Sequence, residues 1–201
     1  THLVEKSDAL GGNLREIRHT LEGADMRAYL AELVGRVRSH PRITVLLNSQ
    51  VRHTEGHVGN FTSRIVTGED ETTVRHGVTI IAIGGRERET TQHGHGTDPR
   101  VLTQRELEHC LADGPLPNGL GDRPSVVMLQ CVESRNEEHP YCSRVCCSEA
   151  VKNALAIKER WPEARVAVLG RDIRTYGFRE TYFEKARSAG VMFVRYPQGE
   201  E

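Results

Sequence analysis

Four of the five cysteines fall in one short stretch, with the spacing Cys131-x10-Cys142-x3-Cys146-Cys147. Four thiolates can hold a tetrahedral zinc ion or a [4Fe–4S] cluster. Structural zinc sites favour two short C-x2–4-C pairs, whereas this stretch has one such pair and an adjacent cysteine. Adjacent cysteines can each reach a different iron of a cubane cluster. The spacing therefore favours an iron–sulfur cluster and leaves zinc, a redox thiol or disulfide site, and unliganded cysteines as alternatives.

The cysteines lie where a strand is predicted to lead into a helix. Cys131 directly follows a predicted strand over residues 125–130, and the last two cysteines begin a predicted helix over roughly 143–160. In a dinucleotide-binding domain this turn carries glycines that bind a pyrophosphate. Free N–H groups and the positive end of a helix stabilise thiolates as they do phosphate, and Arg135 and Arg144 add positive charge. We therefore expect a thiolate site here in place of a phosphate site.

Cys110 stands apart from the other four cysteines. It shares one face of a predicted helix over residues 104–112 with Leu107 and Leu111, the usual position of a buried cysteine. Thr103 and Glu106 have the spacing of a capping box at the start of that helix. We expect Cys110 to lie in the core.

Further signals indicate a flavin site in the first half of the chain. Glu5 ends a short predicted strand, where an acidic residue can bind ribose hydroxyls. The Gly11-Gly12-Asn13-Leu14 turn and the run Ala82-Ile83-Gly84-Gly85, which ends a strongly apolar predicted strand over 78–83, both allow close approach of backbone to a ligand. In this order and at these distances, the three signals favour a flavin site more than any one does.

Strands and helices alternate on both sides of a stretch rich in glycine and proline over residues 113–124, which predicts a linker or domain boundary there. Strands that alternate with helices of this length imply a parallel sheet with right-handed crossovers. We predict an α/β protein with a partial FAD-binding dinucleotide-type domain over residues 1–120. A second, incomplete Rossmann-like parallel-sheet domain over residues 125–201 would carry the cysteines. The first G-x-G-x-x-G unit is expected to precede residue 1.

The predicted elements of the first domain are a strand over 2–6, a helix over 26–39 capped by Asp25, a strand over 43–47, a small strand meander over 50–66 and the strand over 78–83. Those of the second are strands over 125–130, 166–169 and 191–195 and helices over 143–160 and 179–189.

The composition excludes several classes of protein. With 27 basic and 28 acidic side chains the net charge is −1, which gives no electrostatic argument for binding nucleic acid or an anionic membrane. No apolar run approaches the roughly 20 residues that span a bilayer, so we expect no direct membrane insertion. No basic-then-apolar leader opens the sequence, and the clustered, odd-numbered cysteines argue against a secreted disulfide framework. We expect a cytoplasmic protein.

The sequence resembles the A subunit of heterodisulfide reductase over nearly its whole length. The Tyr-Cys-Ser-Arg-Val-Cys-Cys run at 141–147 is the specific part of this resemblance; the glycine motifs are shared by many flavoproteins. The other matching segments are Leu3-Val4-Glu5-Lys6, Gly11-Gly12-Asn13-Leu14-Arg15, Thr20-Leu21-Glu22-Gly23, Val58-Gly59-Asn60-Phe61, Leu102-Thr103, Gln130-Cys131-Val132, Val151-Lys152-Asn153-Ala154-Leu155, Arg171-Asp172-Ile173-Arg174-Thr175-Tyr176-Gly177 and Gly190-Val191-Met192-Phe193-Val194-Arg195-Tyr196.

The resemblance implies a thioredoxin-reductase-like module that binds FAD and carries a cluster in its second domain. The [4Fe–4S] ligands would be Cys131, Cys142, Cys146 and Cys147. The FAD-binding residues would be Glu5 and Lys6 on the ribose side, Gly11, Gly12 and Asn13 along the pyrophosphate and isoalloxazine, Val51 at the adenine, and Ala82 and Gly84 closing over the cofactor.

The resemblance also implies an oxidoreductase subunit of anaerobic energy metabolism that relays electrons between FAD and the cluster. Its partners would be other heterodisulfide reductase-like subunits, ferredoxin, and electron donors of the hydrogenase or formate dehydrogenase type. The family usually has glycine where this chain has Glu133. A carboxylate there would lower the cluster's potential, although we favour a solvated loop charge.

Two other functions are weighed against the electron relay. A zinc-stabilised scaffold that docks partners would need the cysteines but no flavin. An NAD(P)H-dependent disulfide reductase would need a glycine-rich turn at 131–136, which the sequence lacks, and no Cys-x-x-Cys is present for direct thiol–disulfide exchange.

Arg171, Arg174 and Arg179 flank a predicted strand end, where they either contact a partner or anionic acceptor or lie in a solvated loop.

Overall fold

The structure, a computed structural model, describes residues 1–115 and 121–197. The chain divides into two compact units, Thr1–Glu16 with Asp25–Glu87 and Ile17–Ala24 with Arg88–Glu201. Both contain helices and strands, and the predicted α/β class is confirmed. The second unit includes residues 17–24 and 88–115, which we assigned to the first domain from the sequence; the domain bounds 1–120 and 125–201 stay a prediction.

The first unit opens with a parallel strand pair joined through a helix. Strand β1 (His2–Val4) pairs with β2 (Thr44–Leu46), and α1 (Met26–Ser39) lies between them in the chain. The Asp25 carboxylate caps α1 by accepting from the N–H groups of Arg27 and Ala28, as the sequence predicted.

An antiparallel meander completes the first unit, with strands β3 (Ser49–His57), β4 (Asn60–Thr67) and β5 (Asp70–His76) in sequence order. Gly56 has a φ of +105°, and a Cβ there would stand 2.2 Å from the Asn60 carbonyl oxygen. Only glycine fits this position, because any side chain would collide with the backbone of the facing strand.

The prediction of a buried strand over residues 78–83 is wrong. The segment belongs to no helix or strand, and the side chains of Ile80 and Ile83 are 85% and 91% exposed. An apolar run becomes a buried strand only where a neighbouring strand and a covering layer accept it. Within residues 1–115 and 121–197, no strand pairs with this segment.

The second unit contains a three-stranded parallel sheet in the order β6 (Ser125–Leu129), β7 (Arg165–Gly170), β8 (Met192–Arg195). Helix α3 (Cys146–Arg160) follows β6 and α4 (Glu180–Ser188) follows β7. This confirms the predicted alternation and parallel pairing. The core residues are Met128, Ala150, Val151, Ala154, Ile157, Ala164, Val166, Val168, Ala186 and Val191.

Helix α2 (Gln104–Ala112) packs beside α3 and shows the predicted capping box between Thr103 and Glu106. Leu107 and Leu111 pack against the core, whereas Cys110 is only half-buried rather than in the core as expected. Leu107 and Leu111 are half-buried too, and the buried residue of α2 is Glu108.

A buried ion pair joins α2 to α3. The carboxylate of Glu108, 4% exposed, lies 2.8 Å from Lys152 Nζ and also accepts from the N–H groups of Arg18 and His19. Lys152 donates in turn to the His19 carbonyl. The start of α3, which carries two of the cysteines, is thereby fixed to the segment 17–24.

The predicted linker over 113–124 lies partly outside the described residues, which omit 116–120; its described parts contain no helix or strand. Within the two described ranges, no helix combines the length and the apolar character that crossing a bilayer requires.

Candidate cysteine site

The four clustered cysteines lie after the carboxyl end of a parallel strand, the edge at which open α/β sheets bind ligands. Cys131 comes two residues after β6, and Cys146 and Cys147 are the first residues of α3. Cys131 and Cys147 are buried, Cys142 and Cys146 are half-buried, and all are free of disulfide bonds. This is the strand-to-helix turn at which the sequence predicted a thiolate site.

The backbone of the loop after β6 has an unusual conformation. Cys131, Glu133 and Arg135 have φ values of 66°, 51° and 61°, so that every second residue is left-handed. Left-handed residues alternating with right-handed ones are typical of anion-binding nests, in which successive N–H groups face one side. Each left-handed residue costs about 1–3 kcal/mol, so side-chain contacts must hold the loop in this form.

The two adjacent cysteines are hydrogen-bonded to each other and differ in acidity. The hydrogen bond with Cys147 lowers the pKa of Cys146 to about 6, against the effect of burial and with help from Ser143 and the N–H groups at the start of α3. The same hydrogen bond, burial and the nearby Cys131 raise the pKa of Cys147. At neutral pH Cys146 is therefore a thiolate, the form that binds metals.

Positive groups surround the sulfur atoms. Arg135 Nη1 lies 4.0 Å from Cys131 Sγ, and the backbone N–H of Arg174 donates to Cys147. Both guanidinium groups are bound by Asp172, with Arg135 Nη1 at 2.5 Å and Arg174 Nε at 3.1 Å from Oδ1. Arg174, which we had placed either at a partner contact or in a solvated loop, is thus paired within the chain.

Glu133 is not the solvated loop charge that we expected. Its carboxylate accepts from Arg88 Nε at 2.7 Å and Thr90 Oγ1 at 3.0 Å, and its side chain is only 20% exposed. These hydrogen bonds, that from Arg88 first, lower the pKa of Glu133. Arg88 also donates to His139 Nε2 at 2.7 Å. Glu133 therefore anchors the left-handed loop to the segment that precedes α2.

Two buried polar atoms beside the cysteines lack a hydrogen-bond partner in the described part of the chain. They are Gln130 Nε2, in a residue 2% exposed, and Ser148 Oγ, in a residue 9% exposed. A buried donor left unpaired costs about 1–3 kcal/mol. Both residues adjoin cysteines, and hydrogen bonds to sulfur are one means by which proteins tune iron–sulfur clusters.

The donor chemistry fits a cluster, because four thiols, one of them ionised, are combined with convergent N–H groups and cations. The described arrangement is not a closed metal site: among residues 1–115 and 121–197, no three His, Cys, Asp or Glu side chains are grouped so that they could hold a metal ion. That finding concerns a single ion, whereas each cysteine of a [4Fe–4S] site binds a different iron.

Part of the predicted flavin site comes together in the first unit. Asn13 Nδ2 donates to the Gly85 carbonyl at 2.8 Å, which joins the Gly11–Gly12 turn to residues 84 and 85. Gly11 has a φ of 121°, a conformation that favours glycine, and a Cβ there would stand 2.8 Å from the end of the Leu30 side chain. Gly84 has a φ of 66°.

The other residues predicted to bind flavin are brought together less closely than Asn13 and Gly85. Glu5 follows β1, and its carboxylate accepts from the N–H and Oγ of Ser7, which lower its pKa. The Glu5 carbonyl also accepts from the Ser49 N–H, at the start of the strand that contains Val51. Val51 is 50% exposed. Lys6 and Ala82 are exposed.

Sequence reasoning missed Asp172, Arg88 and Glu108 as determinants of the site. Asp172 lies within one of the segments that resemble the family. The signal that could have identified it is a carboxylate between two arginines after a predicted strand. Glu108 looked like an ordinary exposed helix residue, because nothing local distinguishes it from a solvated glutamate.

No model of a protein family matches the chain. Among curated proteins, the chain is 24% identical to the A subunit of the ferredoxin:CoB-CoM heterodisulfide reductase of Methanosarcina acetivorans, over 97% of this chain and 40% of that protein. It is 25% identical to the iron-sulfur A subunit of the CoB–CoM heterodisulfide reductase of Methanocaldococcus jannaschii, over 96% and 43%. It is 35% identical to the A subunit of the H(2):CoB-CoM heterodisulfide,ferredoxin reductase of Methanothermobacter thermautotrophicus, over 63% and 21%.

The class that these relatives define is that of oxidoreductase subunits. The family they share is the A subunit of heterodisulfide reductase, and the resemblance predicted from the sequence is confirmed. The chain spans less than half the length of these relatives.

Among solved structures, L-proline dehydrogenase from P. horikoshii matches 98% of this chain and 30% of its own chain, with 15% identity and a TM-score of 0.38.

Proposed function

We propose that this chain is part of an electron-transfer flavoprotein similar to the A subunit of heterodisulfide reductase. Cys131, Cys142, Cys146 and Cys147 would hold a [4Fe–4S] cluster. The observation that carries the proposal is the placement of four free cysteines between the carboxyl end of β6 and the start of α3, two of them buried and one of these 4.0 Å from Arg135. A cluster supplies single-electron transfer and FAD supplies two-electron chemistry; the chain's residues bind and tune both.

The first unit would contribute part of an FAD site. The contact between Asn13 and Gly85 supports this, since it joins the two glycine-rich signals that the sequence singled out. The residues proposed to contact FAD are Glu5, Lys6, Gly11, Gly12, Asn13, Val51, Ala82 and Gly84. Hydrogen bonds from the Ser7 N–H and hydroxyl lower the pKa of Glu5 and so favour the ionised form, which accepts hydrogen bonds from ribose hydroxyls.

The names of the relatives support the proposed partners. They mention ferredoxin, H2 and F420H2 together with heterodisulfide reductase. We propose ferredoxin, hydrogenase- or formate dehydrogenase-type donors and further subunits of a heterodisulfide reductase-like complex as partners, in the cytoplasm. Reduction of a disulfide would occur on another subunit of that complex.

The test is the metal content of the chain purified without oxygen. We expect about four irons and four acid-labile sulfides per chain, lost in the double variant C146S/C147S. Cys110→Ser is the matched control, because it removes a half-buried thiol from the same unit without touching the site, and its iron content should equal that of the parent. One zinc and no sulfide would overturn the proposal in favour of the zinc-stabilised scaffold.

A further inference from the structure

One carboxylate holds two arginines at the cysteine site. Asp172 Oδ1 accepts from Arg135 Nη1 at 2.5 Å and from Arg174 Nε at 3.1 Å, and its Oδ2 accepts from Arg174 Nη2 at 3.3 Å. Partial burial opposes ionisation of Asp172, yet the hydrogen bonds from Arg174 and Arg135 outweigh it and lower the pKa. The three side chains form a fixed group with a net charge of +1.

Side-chain and backbone atoms of these three residues contact the cysteines. Arg135 approaches Cys131 Sγ to 4.0 Å, the Arg174 N–H donates to Cys147, and the Cys147 thiol points to the Asp172 carbonyl at 3.9 Å. The loop after β6 thus contacts Cys131 through Arg135, and the segment after β7 contacts Cys147 through its backbone.

A close backbone approach fixes the segment in place. A Cβ on Gly170, the last residue of β7, would stand 3.3 Å from the Gln130 side chain that precedes Cys131. Arg171 donates through its guanidinium to the Arg135 carbonyl, within the left-handed loop. These contacts join the segment after β7 to the loop after β6.

We propose that Asp172 is a positioning residue that sets the reduction potential of the cluster by holding the Arg135 guanidinium beside Cys131 and the Arg174 guanidinium in the segment that contacts Cys147. The inference rests on the proposed function, because it concerns the cluster that those cysteines would bind. Reduction adds one negative charge to a cluster, and fixed positive charges nearby favour it. Asp172 is itself negative, so its direct effect on the potential has the opposite sign to its effect through the arginines.

Because the two effects have opposite signs, the reduction potentials of variants distinguish between them. The reduction potential is measured by dye-mediated titration followed by electron paramagnetic resonance, on the 201-residue chain and its variants. If Asp172 acted only through its own negative charge, its removal would raise the reduction potential. If it acts by holding the arginines, its removal should lower the reduction potential. We expect D172A to lower the potential by about 59 mV or more, a tenfold change in the one-electron equilibrium constant.

Two further variants separate a tuning role from a merely structural one. R135Q should lower the potential in the same direction, and D172E should restore most of the loss, since it returns a carboxylate within reach of both arginines. In the background R135Q/R174Q, D172A should instead raise the potential, because only its direct charge effect remains. The matched control is D98A, which breaks an Asp–Arg pair of the same spacing between Asp98 and Arg100 and should leave the potential unchanged.

The outcomes distinguish this inference from the proposed function. A parent chain without iron and sulfide overturns both. A loaded D172A with an unchanged or raised potential overturns the positioning role alone. If D172A loses the cluster, R135Q decides: a lowered potential supports the inference, and an unchanged one overturns it.

Discussion

Replacing Lys152 with methionine should destabilise the second unit strongly. Lys152 and Glu108 have side chains only 15% and 5% exposed and lie 2.8 Å apart. The variant keeps the length of the side chain and leaves the buried Glu108 carboxylate without its cation. Removing one partner of a buried ion pair typically costs about 3–5 kcal/mol. We expect the lower end, because the N–H groups of Arg18 and His19 still donate to Glu108.

The assay is urea unfolding followed by the fluorescence of Trp161, the single tryptophan, which packs against the core of the second unit. With a slope of about 1–3 kcal/mol/M, a loss of about 3 kcal/mol shifts the midpoint down by about 1 M or more. The matched control is R36M, which breaks the exposed pair of Arg36 and Glu32, 74% and 70% exposed. That variant should cost less than about 1 kcal/mol.

The pH dependence gives a second check. The hydrogen bonds from Lys152, Arg18 and His19 outweigh burial and lower the pKa of Glu108 below its usual 4.5. The folded state therefore gains stability from the ionised carboxylate above about pH 4.5 and loses it as the pH falls through the lowered pKa. The difference between K152M and the parent should shrink in that range. A loss no greater than that of R36M at pH 7, or one that is independent of pH, would refute the reasoning.

Three other substitutions or modifications test separate features. Gly56→Ala should destabilise the first unit by more than about 1 kcal/mol, measured by circular dichroism, whereas Gly59→Ala, which has open space around it, should cost less; equal losses would argue against the clash with Asn60. Alkylation of Cys146 by iodoacetamide, followed by mass spectrometry, should reach half its maximal rate near pH 6, and a midpoint above pH 8 would contradict the role of Cys147. Thr103→Ala should cost about 1 kcal/mol of stability through loss of the cap of α2, and an unchanged urea midpoint would show that the cap is not used.

Elements governed by local physics could be predicted from the sequence. Asp25 and Thr103 cap helices through residues two or three positions away, and the alternation of strands and helices after residue 125 follows from hydrophobic periodicity. The caps and the alternation of elements can both be predicted because the residues involved lie close together in the sequence.

Features that depend on distant partners could not be predicted. The segment over 78–83 has the composition of a buried strand, but whether it pairs depends on a neighbouring strand. Asp172 meets Arg135 across 37 positions of chain, and Glu108 meets Arg18 across 90. Such pairs combine common residue types, so the sequence alone gives no reason to select them from the other charged residues.

The left-handed backbone at Glu133 bears on which residues this position accepts. Glycine, which the family resemblance implies here, takes such a conformation without strain, whereas glutamate is strained and is held by Arg88 and Thr90. The same loop shape can therefore be obtained by backbone freedom or by side-chain anchoring. It follows that Arg88 and Thr90 should be tolerant of replacement in a Glu133→Gly background and intolerant of it in the parent. The identity of one loop residue thus decides whether a segment more than forty positions upstream is free to vary.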